Sequence, residues 1–120
     1  MINKSELKKQ YKQTLTPMGI FQVRNTINGK VLIGKSKNLP GSLNKHSFTL
    51  KMNSHTLPGL QEEYNTYGES AFVFEVLDRL EPKEDPAYNY DEDLETLENL
   101  WLEKLQPYDE KGYNKRKIRR

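Results

Sequence analysis

The stretch Gly19-Ile20-Phe21-Gln22-Val23-Arg24-Asn25-Thr26-Ile27-Asn28-Gly29-Lys30-Val31-Leu32-Ile33-Gly34 leaves this chain few choices. Two β-prone runs flank an Asn-Gly pair. Asn and Gly tolerate the positive φ angles of a type I′ turn, so Asn28-Gly29 predicts a tight β-hairpin. Val31, Leu32 and Ile33 are a continuous apolar run, as in a strand covered on both faces. On the first strand, alternation puts Ile20, Gln22 and Arg24 on one side and Phe21 and Val23 on the other.

The rest of the chain supplies cover for that hairpin. Residues 1–17 are a polar lead-in in which Ser5 can cap a short helix striped by Leu7, Tyr11 and Leu15, with Lys8, Lys9 and Lys12 outside the stripe. After the hairpin either Asn38 or Ser42 can cap a helix. Gly41 weakens a first turn, so the expected helix runs from Ser42 to about Asn53, with Leu43, Ser47 and Leu50 on one side and Phe48 and Met52 beside them. A second helix is expected from Leu57 or Pro58 to Tyr67, stopped by Gly68, with Leu60, Tyr64 and Tyr67 as its apolar face. Ala71 to Leu80 alternates as a strand, with Phe72, Phe74 and Val76 on one side and Val73, Glu75 and Leu77 on the other. Residues 81–93 are a loop rich in acids and proline, in which Tyr88 and Tyr90 are available as anchors. A third helix spans about Asp91 to Leu105, striped by Leu94, Leu97, Trp101 and Leu105, and Pro107 ends it. The expected architecture is α/β: a small, mainly antiparallel sheet made of the hairpin and a third strand, flanked by helices, in the order β-β-α-α-β-α. The domain covers residues 18–114, and 115–120 read as a disordered basic tail.

At 120 residues the chain suffices for one modest core. It has no cysteine, which excludes disulfides and thiolate metal sites, and no apolar run of membrane-spanning length. The N-terminus lacks a signal-peptide pattern, so the expected location is cytoplasmic. The net charge of +2 hides a segregation. Residues 1–51 hold ten Lys/Arg and one acid, residues 52–110 three Lys/Arg and sixteen acids, and residues 111–120 six Lys/Arg and no acid. A basic half attracts phosphates and an acidic half repels them, although the two halves also neutralise each other in a fold.

Gly19-Ile20-Phe21 and Leu32-Ile33-Gly34 resemble the two tripeptides for which the GIY-YIG nuclease domain is named, with both tyrosines replaced. The resemblance continues through His46, His55, Leu60–Gly68, Phe72–Leu77, Glu98-Asn99-Leu100-Trp101 and Gly112-Tyr113-Asn114, from about Gly19 to Asn114. It implies an α/β sandwich of the order given above and metal-assisted phosphodiester cleavage. That chemistry needs a carboxylate to hold a divalent cation, a base to activate water, and a donor for the charge that develops on the phosphate. By this resemblance Glu98 is the metal ligand, taking Mg²⁺ or Mn²⁺ if the protein is active. His46 and His55 are base or phosphate contacts, and Asn114 is a polar group near the site. Phe21 keeps the tyrosine's ring without its hydroxyl, Leu32 keeps neither, and Ser42 stands where the family has an arginine. Lys45, three residues after Ser42 on the same helix face, is the available substitute cation.

Three functional readings follow. The preferred one is a GIY-YIG-fold protein that binds nucleic acid, DNA ahead of RNA, through a basic hairpin and helix face of Arg24, Lys35, Lys37 and Lys45, with weak or lost cleavage. The second is an active, divergent, metal-dependent endonuclease using Glu98, His46 and Lys45. The third is a protein-interaction module or regulator that reuses the scaffold and takes a protein partner on the acidic loop 81–95.

Overall fold

In a computed structural model, residues 16–116 are described. The expected lead-in helix therefore lies outside the described residues. Three strands, β1 (Met18–Asn25), β2 (Val31–Ser36) and β3 (Phe72–Leu80), form one antiparallel sheet in the order β2-β1-β3. Three α-helices, α1 (Leu39–Lys51), α2 (Pro58–Tyr67) and α3 (Asp91–Leu105), accompany them among the described residues. The element order is the expected one, and the fold is α/β.

Alternation along β1 sorts the core into two layers. Val23, with Leu32 of β2 and Phe72 of β3, packs on Leu50 of α1 and on Leu60 and Tyr64 of α2. On the other face Ile20 and Ile33 pack on Leu102 of α3, with Leu97, Trp101 and Leu105 partly buried around them. Ile20 and Val23 are fully buried, so the central strand is covered on both sides as its apolar content requires. Tyr90 fastens the acidic loop by packing on Met18 and Leu94, and its hydroxyl accepts the Lys83 N–H at 2.9 Å.

Several local expectations need correction. The hairpin forms with Val23 opposite Leu32 and Phe21 opposite Gly34, but its turn is not a two-residue type I′. Residues 26–30 make the turn, and within it only Gly29 has a positive φ, of 78°. The Asn25 and Asn28 side chains each accept from the N–H two residues on, at Ile27 (2.9 Å) and Lys30 (3.0 Å). These two Asx turns fix a longer loop.

Helix α1 begins at Leu39, three residues before the expected start, because Asn38 caps it: its side chain accepts the Gly41 N–H at 3.1 Å. Pro40 suits the first turn, where its missing N–H costs nothing. Phe48 and Met52, expected beside the core, are 63% and 60% exposed. Tyr67, expected on the apolar face of α2, is 42% exposed, and Gln61 is buried in that helix instead. In α3 Leu102 is the most buried residue after Leu94 and joins the expected stripe.

Candidate functional site

The site is built along the free edge of β2, between α1 and α3. An edge strand presents main-chain groups that need partners. On β2 they come from three elements. The Tyr113 N–H donates to the Val31 carbonyl at 2.9 Å, with Gly112 bridging Val31 in parallel. The Asn114 side chain accepts the Ile33 N–H and donates to the Ile33 carbonyl, both at 2.8 Å. Glu98, on α3, accepts the Lys35 N–H at 3.1 Å. Glu98 and Asn114 thus hold main-chain groups two residues apart on one strand edge.

The opposite side of β2 faces α1. The Phe21 ring lies over Gly34, where an added Cβ would come within 2.5 Å of the ring. The same ring packs against the His46 imidazole, with centroids 5.1 Å apart. Leu32 is buried in the core. The Ser42 hydroxyl is spent on Ser36, with the two oxygens 2.6 Å apart, and the Asn38 N–H donates to that same Ser36 oxygen.

His46 and His55 form a hydrogen-bonded pair, with Nδ1 of His46 and Nε2 of His55 2.8 Å apart. The network sets the tautomers. Nδ1 of His55 accepts the Leu57 N–H at 3.0 Å, so neutral His55 carries its proton on Nε2 and donates it to His46 Nδ1. Neutral His46 then carries its own proton on Nε2 and offers a donor there. Burial, followed by the repulsion that two protonated rings would suffer and by the charge of Lys45, lowers the His46 pKa to about 4. Burial and then Lys45 also lower that of His55. The pair is anchored through Gln61, whose Oε1 accepts the His55 N–H at 3.1 Å and whose amide donates to the Leu50 carbonyl at 3.0 Å. Gln61 and Ser36 escaped sequence reasoning. A glutamine between Leu60 and Tyr64 on a helix's apolar face was the available signal for the first, and Ser36 carried none.

The four basic residues expected on one face are not brought together. Arg24 lies on the α3 side of the sheet and pairs with Glu75 at 3.1 Å. Hydrogen bonds from Gln22 and Arg24 lower the Glu75 pKa. Lys37 pairs with Asp91 at 2.5 Å, both largely exposed. Lys35 leaves the β2 edge beside Glu98, and Lys45 projects from α1 close enough for its charge to act on both imidazoles. At the chain's end Arg116, expected in a disordered tail, donates to Asp109 at 2.9 Å and stacks on Tyr108 at 4.7 Å.

Among the described residues no three His, Asp or Glu side chains cluster as a metal cage. A single carboxylate at Glu98 suits a hard cation that keeps most of its water, as Mg²⁺ does, and does not suit zinc. No helix among the described residues is long and apolar enough to cross a membrane.

No family model matches the sequence. The intron-associated endonuclease 1 of Enterobacteria phage T4 is 30% identical over 87 residues, which is 72% of this chain and 32% of that protein. The chain therefore spans about a third of the length of the curated relative it matches. The solved catalytic domain of the homing endonuclease I-TevI is 27% identical with a TM-score of 0.66, over 81% of this chain and 96% of that one. An alanine mutant of the catalytic domain of intron endonuclease I-TevI gives the same identity and TM-score over 82% and 93%.

Proposed function

We propose that this chain, whose fold is that of the I-TevI catalytic domain, is a divergent GIY-YIG nuclease-fold protein, without either motif tyrosine or the helix arginine, that binds nucleic acid on the α1 and β2 face and cleaves it weakly or not at all. The observation that carries this reading is what occupies the three chemical positions. The Phe21 ring packs between Gly34 and His46, Leu32 lies in the core, and the Ser42 hydroxyl is bonded to Ser36. Tyr64 supplies no replacement hydroxyl to the site, since it is buried on Phe72 in the core. Loss of one preorganised donor typically costs about 10²–10³ in rate, and three such losses compound, though not additively.

The parts that remain suit phosphate binding. Lys45 supplies charge on α1, Lys35 supplies it at the β2 edge on the α3 side, and His46, with its proton on Nε2, supplies a neutral donor. DNA is the expected ligand, by analogy with the endonuclease relatives. The family is typically dependent on a divalent metal, and here Glu98 is the residue that would hold Mg²⁺ or Mn²⁺, which would supply charge neutralisation at the phosphate. Fixing of Glu98 by the Lys35 N–H also favours a second reading, residual metal-dependent cleavage using Glu98, His46 and Lys45.

Binding is tested by fluorescence anisotropy on a labelled DNA duplex at low salt. Wild type is expected to bind with an affinity that falls as salt rises, and a Lys35→Glu/Lys37→Glu/Lys45→Glu protein to bind at least tenfold more weakly. Equal binding by the two proteins would remove this face.

A further inference from the structure

Helix α1 differs from its neighbours in what it shows to solvent. Its sequence, Leu39 to Lys51, contains no acid, whereas α3 carries Asp91, Glu92, Asp93, Glu95, Glu98 and Glu103 against one lysine. The exposed residues of its last two turns are Asn44, Lys45, Phe48 and Lys51, followed by Met52 at the cap. Phe48 and Met52 are 63% and 60% exposed and stand one turn apart. A single exposed apolar residue is ordinary. Two large ones in register, on an acid-free helix, make a continuous apolar ridge.

At 3.6 residues per turn, Lys51 lies to one side of that ridge and Lys45 to the other. Along the axis the two lysines are about 9 Å apart, from six residues at 1.5 Å rise. That span already exceeds the width of a minor groove, about 6 Å, so the two ammonium groups can reach phosphates on its opposite walls. Lys45 also borders the site described above, since its charge reaches both His46 and His55. Around the helix Lys45 stands between the ridge and the half-buried His46, so the ridge adjoins that site on the outer side of α1; this inference rests on the nucleic-acid reading.

We propose that the outer face of α1 is a wedge for duplex DNA, in which Phe48, backed by Met52, enters between base steps from the minor groove while Lys45 and Lys51 hold phosphates on either side. Apolar wedges of Phe and Met that partly unstack a step are a recurrent way of kinking a duplex, and cations beside them hold the deformed backbone. An acid on this helix would oppose the approach, and there is none.

The test uses the full chain and two duplexes, one labelled with fluorescein and one containing 2-aminopurine, whose emission rises when it is unstacked. Phe48→Ala is expected to weaken binding about fivefold or more and to abolish the emission rise, with the salt dependence unchanged. Lys51→Gln is expected to lower the slope of log affinity against log salt by about 0.9. Phe48→Trp is expected to bind like wild type, with its indole emission quenched on the duplex, which also controls for folding. Equal binding and an equal 2-aminopurine signal in Phe48→Ala would overturn the wedge and leave the nucleic-acid reading standing. No binding of either duplex by wild type at low salt would remove both. A preference for single strands over duplex, binding of phosphatidylserine vesicles in place of DNA, or self-association lost in Phe48→Ala would each assign the ridge to a different occupant and overturn the proposal.

Discussion

Asn114 closes its side-chain amide on both main-chain groups of Ile33, accepting the N–H and donating to the carbonyl, each at 2.8 Å. The amide replaces the missing neighbour strand at the edge of β2. Ile33 is 2% exposed, so truncation of Asn114 leaves buried main-chain groups without partners. Asn114→Ala is expected to lose about 1–3 kcal/mol in urea unfolding. A loss below about 0.5 kcal/mol would mean that the clasp is replaced by water.

The histidine pair predicts a pH dependence. In the unfolded chain an imidazole takes up a proton near its ordinary value of 6.5, while folded His46 resists until about pH 4. The unfolded state therefore binds more protons in that window, and stability rises with pH across it. The contribution is fully present above 6.5 and is lost as pH falls toward 4. Urea midpoints across this range are expected to rise with pH, and to rise less steeply in His46→Gln. An NMR titration of His46 with a midpoint near 6.5 would contradict the pairing.

Gly34 is required by Phe21. A methyl group at 34 would meet the Phe21 ring at 2.5 Å, so Gly34→Ala is expected to cost about 1–3 kcal/mol. A smaller ring-side residue makes room. The Gly34→Ala penalty is therefore expected to shrink in a Phe21→Leu background, as a double-mutant cycle would show. Equal penalties in both backgrounds would separate the two residues.

If missing groups are what silences the site, returning them should restore it. A Phe21→Tyr/Ser42→Arg protein is expected to nick supercoiled plasmid in Mg²⁺ at least tenfold faster than wild type, and adding Glu98→Ala is expected to abolish the gain. Leu32 is left alone because a phenol in its buried place would overpack the core. Nicking that stays at background would place the loss elsewhere than Phe21 and Ser42.

The sheet and helices were legible because alternation and helical stripes are carried by many residues at once. Ile20 and Val23 declared opposite faces, and the bounds of α3 followed from Asp91 and Pro107. The details that failed depend on single side chains. Asn25 and Asn28 accept main-chain protons and lengthen a turn that the Asn-Gly pair predicted to be tight. Asn38 starts α1 early by the same kind of bond. In the candidate site, spacing and resemblance identified His46, His55, Glu98 and Asn114 as residues of interest. They could not reveal that Asn114 clasps Ile33, that Glu98 takes the Lys35 N–H, or that His55 orients His46, since each depends on contacts between residues far apart in sequence. Arg24 illustrates the converse. Its charge was legible, but its partner Glu75, 51 positions away on β3, was not.

The most direct test is Mg²⁺-dependent nicking of supercoiled plasmid by wild type and Glu98→Ala from matched preparations, at salt low enough for binding. Wild type is expected to bind the plasmid and to nick it no faster than Glu98→Ala. Metal-dependent nicking by wild type that disappears in Glu98→Ala would contradict that expectation and make this chain a working nuclease with a rearranged site.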